Sequence, residues 1–441
     1  MKDRMRSVAT IDHLRQMASS SLYRNACYTI GSHGLMAVLG FFFWVIVARF
    51  YTEAEVGYSG AIISAMGLVS LIGHLGLETF LIRFLSGAQN RNVVLNTCLT
   101  YTSLVTAVAA VVCVIGLRVF STEIGFIGQQ PVFFVAFVAF AVANTLFSLT
   151  GATFIARRRA QFMLVKDFVF SGLKLFLPLA FVTYFHAFGI VASWGLASAA
   201  AVALSLYALV PRVLTGYFPR PSLRARLLRR AWGYSGMSYI VSLIAVAPKF
   251  LMPLLVINAL GPVQNGYFYV AWAIYTVLGT IPGSVAQSMF AEASTNKRSL
   301  HRNIARSFLL SIILLAPAVL FLEIFGGHLM RAFGASYSEN SVGLLRLLAL
   351  AAIPVTVVRI HFGVLRFTGR MRELLLIRSA LTAAILVAAF LMVEGEGIEV
   401  VGWVYLAAYG VAALGIGLFR NHLWRDPRNG RTTGSDSPAR P

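Results

Sequence analysis

The chain has 441 residues, of which 58% are hydrophobic and only 12% charged, and it carries a formal net charge of +21. A soluble domain is about half apolar with about a quarter of its residues charged, so this composition excludes a soluble globular protein. A charge this positive on one compact domain would indicate nucleic acid; here the cations are scattered over short loops, which excludes that partner and leaves membrane orientation and contact with anionic membrane lipids.

In chain order, residues 1–24 are too polar for a cleaved signal peptide, and the apolar stretch after them is too long for an h-region. They read as a cytoplasmic N-terminal arm, in which Ile11, Leu14 and Met17 fit a short surface helix. About twelve segments then reach the ~20 apolar residues that a membrane helix needs. They begin near residues 26, 57, 93, 131, 163, 188, 234, 266, 305, 341, 374 and 398. The predicted architecture is all-α: a first six-helix bundle over 25–211, a basic cytoplasmic linker over 212–231, and a second six-helix bundle over 232–421. Residues 422–441, rich in Pro, Gly, Ser and Arg, read as a disordered cytoplasmic tail.

The cations fall on every second connection: the N-terminal arm, the loops holding Arg83 and Arg91, Arg157 to Lys166, Arg212 to Arg230, Lys297 to Arg306 and Arg366 to Arg372, and the tail. The alternate loops hold only Arg49, Arg118 and Arg331, and the last of them is acidic, with Glu394, Glu396 and Glu399. By the positive-inside rule both termini are expected in the cytoplasm of a multi-pass inner-membrane protein. No extramembrane segment has room for a catalytic or nucleotide-binding domain. There is no phosphate-binding loop, and Cys27, Cys98 and Cys113 have no ligand or disulfide spacing, so no cofactor, no metal and no catalytic residue is expected.

The two halves share a corner. Residues 47–58, VARFYTEAEVGY, and residues 256–267, VINALGPVQNGY, each end an apolar span, turn, and open the next span on Gly-Tyr. Gly57 therefore corresponds to Gly266, in two parallel repeats around a central cleft. The run of residues 41–85, with Ala48-Arg49, the short acidic loop, Gly57-Tyr58 and Gly76-Leu77, resembles the opening of the polysaccharide-export and O-antigen flippases of the multidrug/oligosaccharidyl-lipid/polysaccharide exporter superfamily. The resemblance implies translocation of a polyprenyl-(pyro)phosphate-linked oligosaccharide from the inner to the outer leaflet by alternating access. It also implies polysaccharide polymerase and glycosyltransferases as partners. The related lipid II flippases have two further spans, and a major-facilitator protein would carry an Asp-Arg loop where this chain has residues 86–92.

Five cations fall inside predicted spans: Lys174, Lys249, Arg346, Arg359 and Arg378. A charge at mid-bilayer costs at least ~2.5–3.5 kcal/mol, so each needs a reason. Arg378 can snorkel. Lys249, Lys174, Arg346 and Arg359, with Arg49, are the candidates for a cationic cleft that holds an anionic headgroup; the alternative for each is a local partner. Pro248 and Pro253 flank Lys249 and, with Gly57 and Gly266, are the candidate hinges. Asp167, Ser171 and Lys174 recur on one helix face, and Asp167 and Glu78 are candidate coupling-ion ligands or simple counter-charges. A drug or cation antiporter of the same superfamily would favour intramembrane carboxylates over cations. A membrane glycan polymerase or ligase would need a large outer loop, which this chain lacks.

Overall fold

The computed structural model describes residues 21–121, 123–280 and 300–418. The expected surface helix near Ile11, the cations Lys297 and Arg298, and the C-terminal tail lie outside the described residues. Helices and short turns make up what is described, with no strand among those residues.

The elements are α1 (Ser21–Phe50), α2 (Glu53–Gly73), α3 (Leu77–Phe84), α4 (Arg91–Phe120), α5 (Pro131–Ala156), α6 (Ala160–Leu204), α7 (Ala225–Leu278), α8 (Leu300–Arg331), α9 (Ala335–Asn340), α10 (Val342–Phe367), α11 (Met371–Glu396) and α12 (Glu399–Leu418). Their ends follow local chemistry. Thr52 and Glu55 form a reciprocal capping box that starts α2. Asn90 caps α4 by accepting from the Val93 N–H at 3.2 Å. Pro131 opens α5 where its missing N–H costs nothing.

Ten of the described helices are long and apolar enough to cross a membrane, fewer than the twelve spans expected. Two of the long ones are interrupted. α6 breaks at His186, which holds φ 45° and ψ −138°, and α7 breaks at Gly261, at φ 80° and ψ 177°. The second predicted span is also broken: Leu75 and Gly76 both take positive φ and separate α2 from α3. Gly76 is needed there, because a Cβ would press on Ser235 and Tyr239 in an already left-handed backbone.

Apolar residues stand on the outside as well as the inside. On α4 the exposed residues Leu104, Val108, Val112, Ile115 and Val119 form one stripe at helical spacing. Such a stripe is unstable against water and suits lipid.

Two compact units can be described separately. The first comprises Met1–Val270 with Met330–Asn340. Here α6 packs along α1 and α5, and α2 packs against α4, α5 and α6. α7 reaches α2 through small residues: Gly67 leaves room for the Phe250 ring and Gly60 for the Tyr269 ring. In the second unit, Ala271–Leu329 with Ser341–Pro441, α12 packs against α10 and α11.

Candidate functional site

Three buried ionisable groups of the first unit, Lys166, Asp167 and Lys174, lie on α6. Asp167, Ser171 and Lys174 share one face, as their spacing predicts, and all three are buried. Asp167 accepts from the Ser32 hydroxyl of α1 and lies 3.0 Å from the Lys166 ammonium. Lys166, expected on a cytoplasmic loop, is instead only 2% exposed. Its Nζ donates to the Phe147 carbonyl at 2.9 Å and sits 3.3 Å from the centroid of that residue's ring. The carboxylate, the carbonyl and the ring together offset its desolvation, which is why a lysine can enter the bundle here.

Lys174 lies two turns further along. It is 3% exposed, and its ammonium is boxed by three rings: Trp194 at 4.4 Å, with Phe43 and Phe170 each at 5.0 Å from their centroids. The quadrupoles of these rings replace water around the cation. Nothing in the sequence around Lys174 announces this box, because its walls come from α1 and from residues on both sides along α6. Trp194→Ala is expected to remove the nearest wall and cost about 3–5 kcal/mol in thermal or denaturant unfolding.

Arg49, at the end of α1, donates through Nε to the Ala332 carbonyl at 2.8 Å and through a second nitrogen to the Arg331 carbonyl at 2.7 Å. It thus satisfies the orphan carbonyls at the C-terminus of α8, where a cation is favoured. Close by, Glu53 accepts from Ser336 at 2.6 Å, and Glu55 lies 3.0 Å from His186 at the break in α6. Tyr51 donates to the Pro178 carbonyl at 2.7 Å; burial, and then the charge of Glu55, push its phenol up to about 12, so it remains a donor at physiological pH. Glu78 is 3.5 Å from His74, one turn away.

The two Gly-Tyr corners meet directly within the first unit. A Cβ on Gly57 would collide with the Pro262 carbonyl, and one on Gly266 would collide with the Glu53 carbonyl. Asn265 donates to the Gly57 carbonyl at 2.7 Å across the same contact. Both glycines are required by closeness of backbones rather than by φ.

Lys249 is exposed on α7 beside Phe250, 5.5 Å from that ring's centroid, and Pro248 and Pro253 lie within the helix on either side of it. In the second unit, Arg359 of α10 donates to the Gly279 carbonyl just after α7, again at a helix C-terminus. Arg378 stacks over Phe362 at 4.4 Å. Arg346 is exposed on α10 and is the charged neighbour of Glu323 on α8. The second unit also holds an aromatic cluster that no sequence motif announced: Trp272, Tyr275 and Tyr405 in mutual contact, with Tyr409 stacked on Tyr405 at 5.8 Å. Arg359 acts electrostatically on Tyr275, Tyr405 and Tyr409.

Comparison with known proteins fits this arrangement. Residues 46–342 match the family described as polysaccharide biosynthesis protein. A putative O-antigen transporter from Shigella flexneri is 22% identical over 210 residues, which is 45% of this chain and 50% of that protein. The chain thus spans about half the length of this curated relative. Among solved structures, an inward-facing multidrug resistance MATE family transporter of the MOP superfamily is similar with a TM-score of 0.68 at 16% identity, covering 90% of this chain and 96% of that one. The lipid II flippase MurJ in an inward closed conformation is similar with a TM-score of 0.67 at 10% identity, covering 90% and 87%. At such identities the likeness is one of fold. The chain is a multi-pass membrane protein with the fold of the MOP superfamily, and it belongs to the polysaccharide biosynthesis protein family.

Proposed function

We propose that this protein is a flippase that carries a polyprenyl-(pyro)phosphate-linked oligosaccharide from the inner to the outer leaflet of the cytoplasmic membrane by alternating access. The observation that carries this reading is the family match over residues 46–342, which includes the proline-flanked, exposed Lys249 in α7. An anionic phosphate leaving bulk water needs cations, and an exposed lysine flanked by prolines in a membrane helix supplies one. The glycan needs a wet, polar passage, and the polyprenyl chain can stay in lipid. No bond is made or broken, so no nucleophile or acid–base pair is required. Asp167, bonded to Ser32 and Lys166, acts as a counter-charge, and this weighs against a cation antiporter built on that carboxylate. Enzymes that make the lipid-linked glycan and one that polymerises it are the expected neighbours in the pathway.

The test is the leaflet distribution of lipid-linked glycan in cells that depend on this protein. Lys249→Ala is expected to raise the inner-leaflet pool several-fold at unchanged protein level, with Lys249→Arg retaining part of the transport. Normal transport by Lys249→Ala would remove the headgroup role.

The reading includes twelve crossings with both termini in the cytoplasm, which gives a labelling prediction. In a background lacking Cys27, Cys98 and Cys113, single cysteines at Gln129, Val263 and Gly395 are expected to react with an impermeant maleimide added to intact cells. Those at Gln89, Arg158 and Arg224 are expected to stay unlabelled until the cells are opened. The reverse pattern would invert the orientation, and a mixed one would change the number of crossings.

A further inference from the structure

A groove of about 500 Å³ lies on the first unit, between the basic linker and α4. Its lining combines the polar residues Asn96, Thr100 and Arg220 with the apolar residues Leu99, Leu104 and Val142. The linker is strapped down along one face of α4. Asn92 donates to the Gly216 carbonyl at 3.1 Å and Asn96 to the Phe218 carbonyl at 2.9 Å, while Thr100 accepts from the Ser222 N–H at 3.0 Å. This strap sets Arg220 at the groove, with its guanidinium stacked on Phe218 at 5.3 Å.

Two features go beyond what strapping requires. Asn96 is only 7% exposed, and its Oδ1 has no hydrogen-bond partner, although a buried amide oxygen is costly to leave unpaired. Arg220 places a cation beside an apolar wall that continues into the exposed stripe of α4 through Leu104. A phosphodiester to meet the arginine, a hydroxyl to meet the amide oxygen, and an acyl chain to lie along Leu104 and Val142 together describe one kind of molecule. Arg220 itself lines the groove and favours a lipid of net negative charge.

We infer that this groove is a binding site for an anionic glycerophospholipid whose headgroup carries hydroxyl donors, with phosphatidylglycerol as the type. The inference does not depend on which substrate the protein transports.

The experiment counts lipids retained by the purified full chain in native mass spectrometry. Phosphatidylglycerol, phosphatidylcholine, a polyprenyl phosphate and phosphatidylmethanol, which has the phosphodiester but no headgroup hydroxyl, are offered in turn. The wild-type chain is expected to retain phosphatidylglycerol in preference to the other three. Arg220→Gln is expected to weaken that binding about ten-fold, the effect of losing one charge-assisted hydrogen bond. Leu104→Trp, which fills the apolar part, is expected to weaken it as well. Arg226→Gln, outside the groove lining, is expected to leave it unchanged, and the lipid-free unfolding temperature of each variant reports that it is folded. Equal retention of phosphatidylcholine, preference for the polyprenyl phosphate, or an equal loss in Arg226→Gln would overturn the assignment. Equal retention of phosphatidylmethanol would remove the part assigned to Asn96.

Discussion

Asp167→Ala is expected to cost about 3–5 kcal/mol of stability, measured by thermal or denaturant unfolding of the purified protein, because it leaves a buried lysine without its counter-charge. The size follows from the surroundings: Lys166 and Asp167 are both buried, and the carboxylate lies 3.0 Å from the ammonium. The sharper result is the double change. Lys166→Met with Asp167→Leu removes both charges, and replacing a buried pair by apolar groups is often neutral or stabilising. The double variant is therefore expected to recover most of the loss. Transport measured on it then separates two roles. If it is folded and transports, Asp167 is a counter-charge alone; if it is folded and does not, the carboxylate takes part in coupling. A single Asp167→Ala protein as stable as wild type would show that Lys166 finds water, and the account of its burial would fail.

The second large effect is expected at the glycine corner. Gly57→Ala is expected to lower stability by about 1–3 kcal/mol, the usual cost of overpacking, because the added methyl meets backbone that cannot rotate away. Gly57→Leu is expected to prevent accumulation of the folded protein. Gly116→Ala is the control: no atom lies within 4 Å of where its Cβ would be, and in a helix alanine is favoured over glycine by roughly 0.5–1 kcal/mol. Equal behaviour of Gly57→Ala and Gly116→Ala would mean that the corner can open at no cost.

Sequence carried the large-scale answer because the bilayer imposes it. Apolar runs of fixed length read as helices, and the all-α fold follows from them. The resemblance over residues 41–85 led to the same family as the match over residues 46–342. The face shared by Asp167, Ser171 and Lys174 was legible because helical spacing alone decides it. What surrounds a charge was not legible. Lys166 looks like one more loop cation until the Phe147 carbonyl and ring appear beside it. Arg49, a headgroup candidate by its position, donates to the carbonyls at residues 331 and 332, far off in sequence. The break at Leu75-Gly76 lies inside an apolar run, where one glycine is a weak signal. Partners distant in sequence decide each of these, and no local pattern encodes them.

The corner at Gly57 and Gly266 has a reciprocity with a consequence for ancestry. Glu53 and Pro262 occupy equivalent places in the two matched segments, as do Gly57 and Gly266. Gly57 faces the carbonyl of residue 262, and Gly266 faces the carbonyl of residue 53. Contacts paired in this way, i to j and j to i, are the mark of an isologous interface between two copies of one subunit. Found within one chain, the pairing is what a gene duplication and fusion of a two-fold dimer would leave behind. In the unfused ancestor a single mutation at this glycine would have struck both sides of the contact at once. In a fused chain the two sides would mutate separately, and here they differ: Val56 stands where its counterpart, Asn265, donates across the contact to the Gly57 carbonyl.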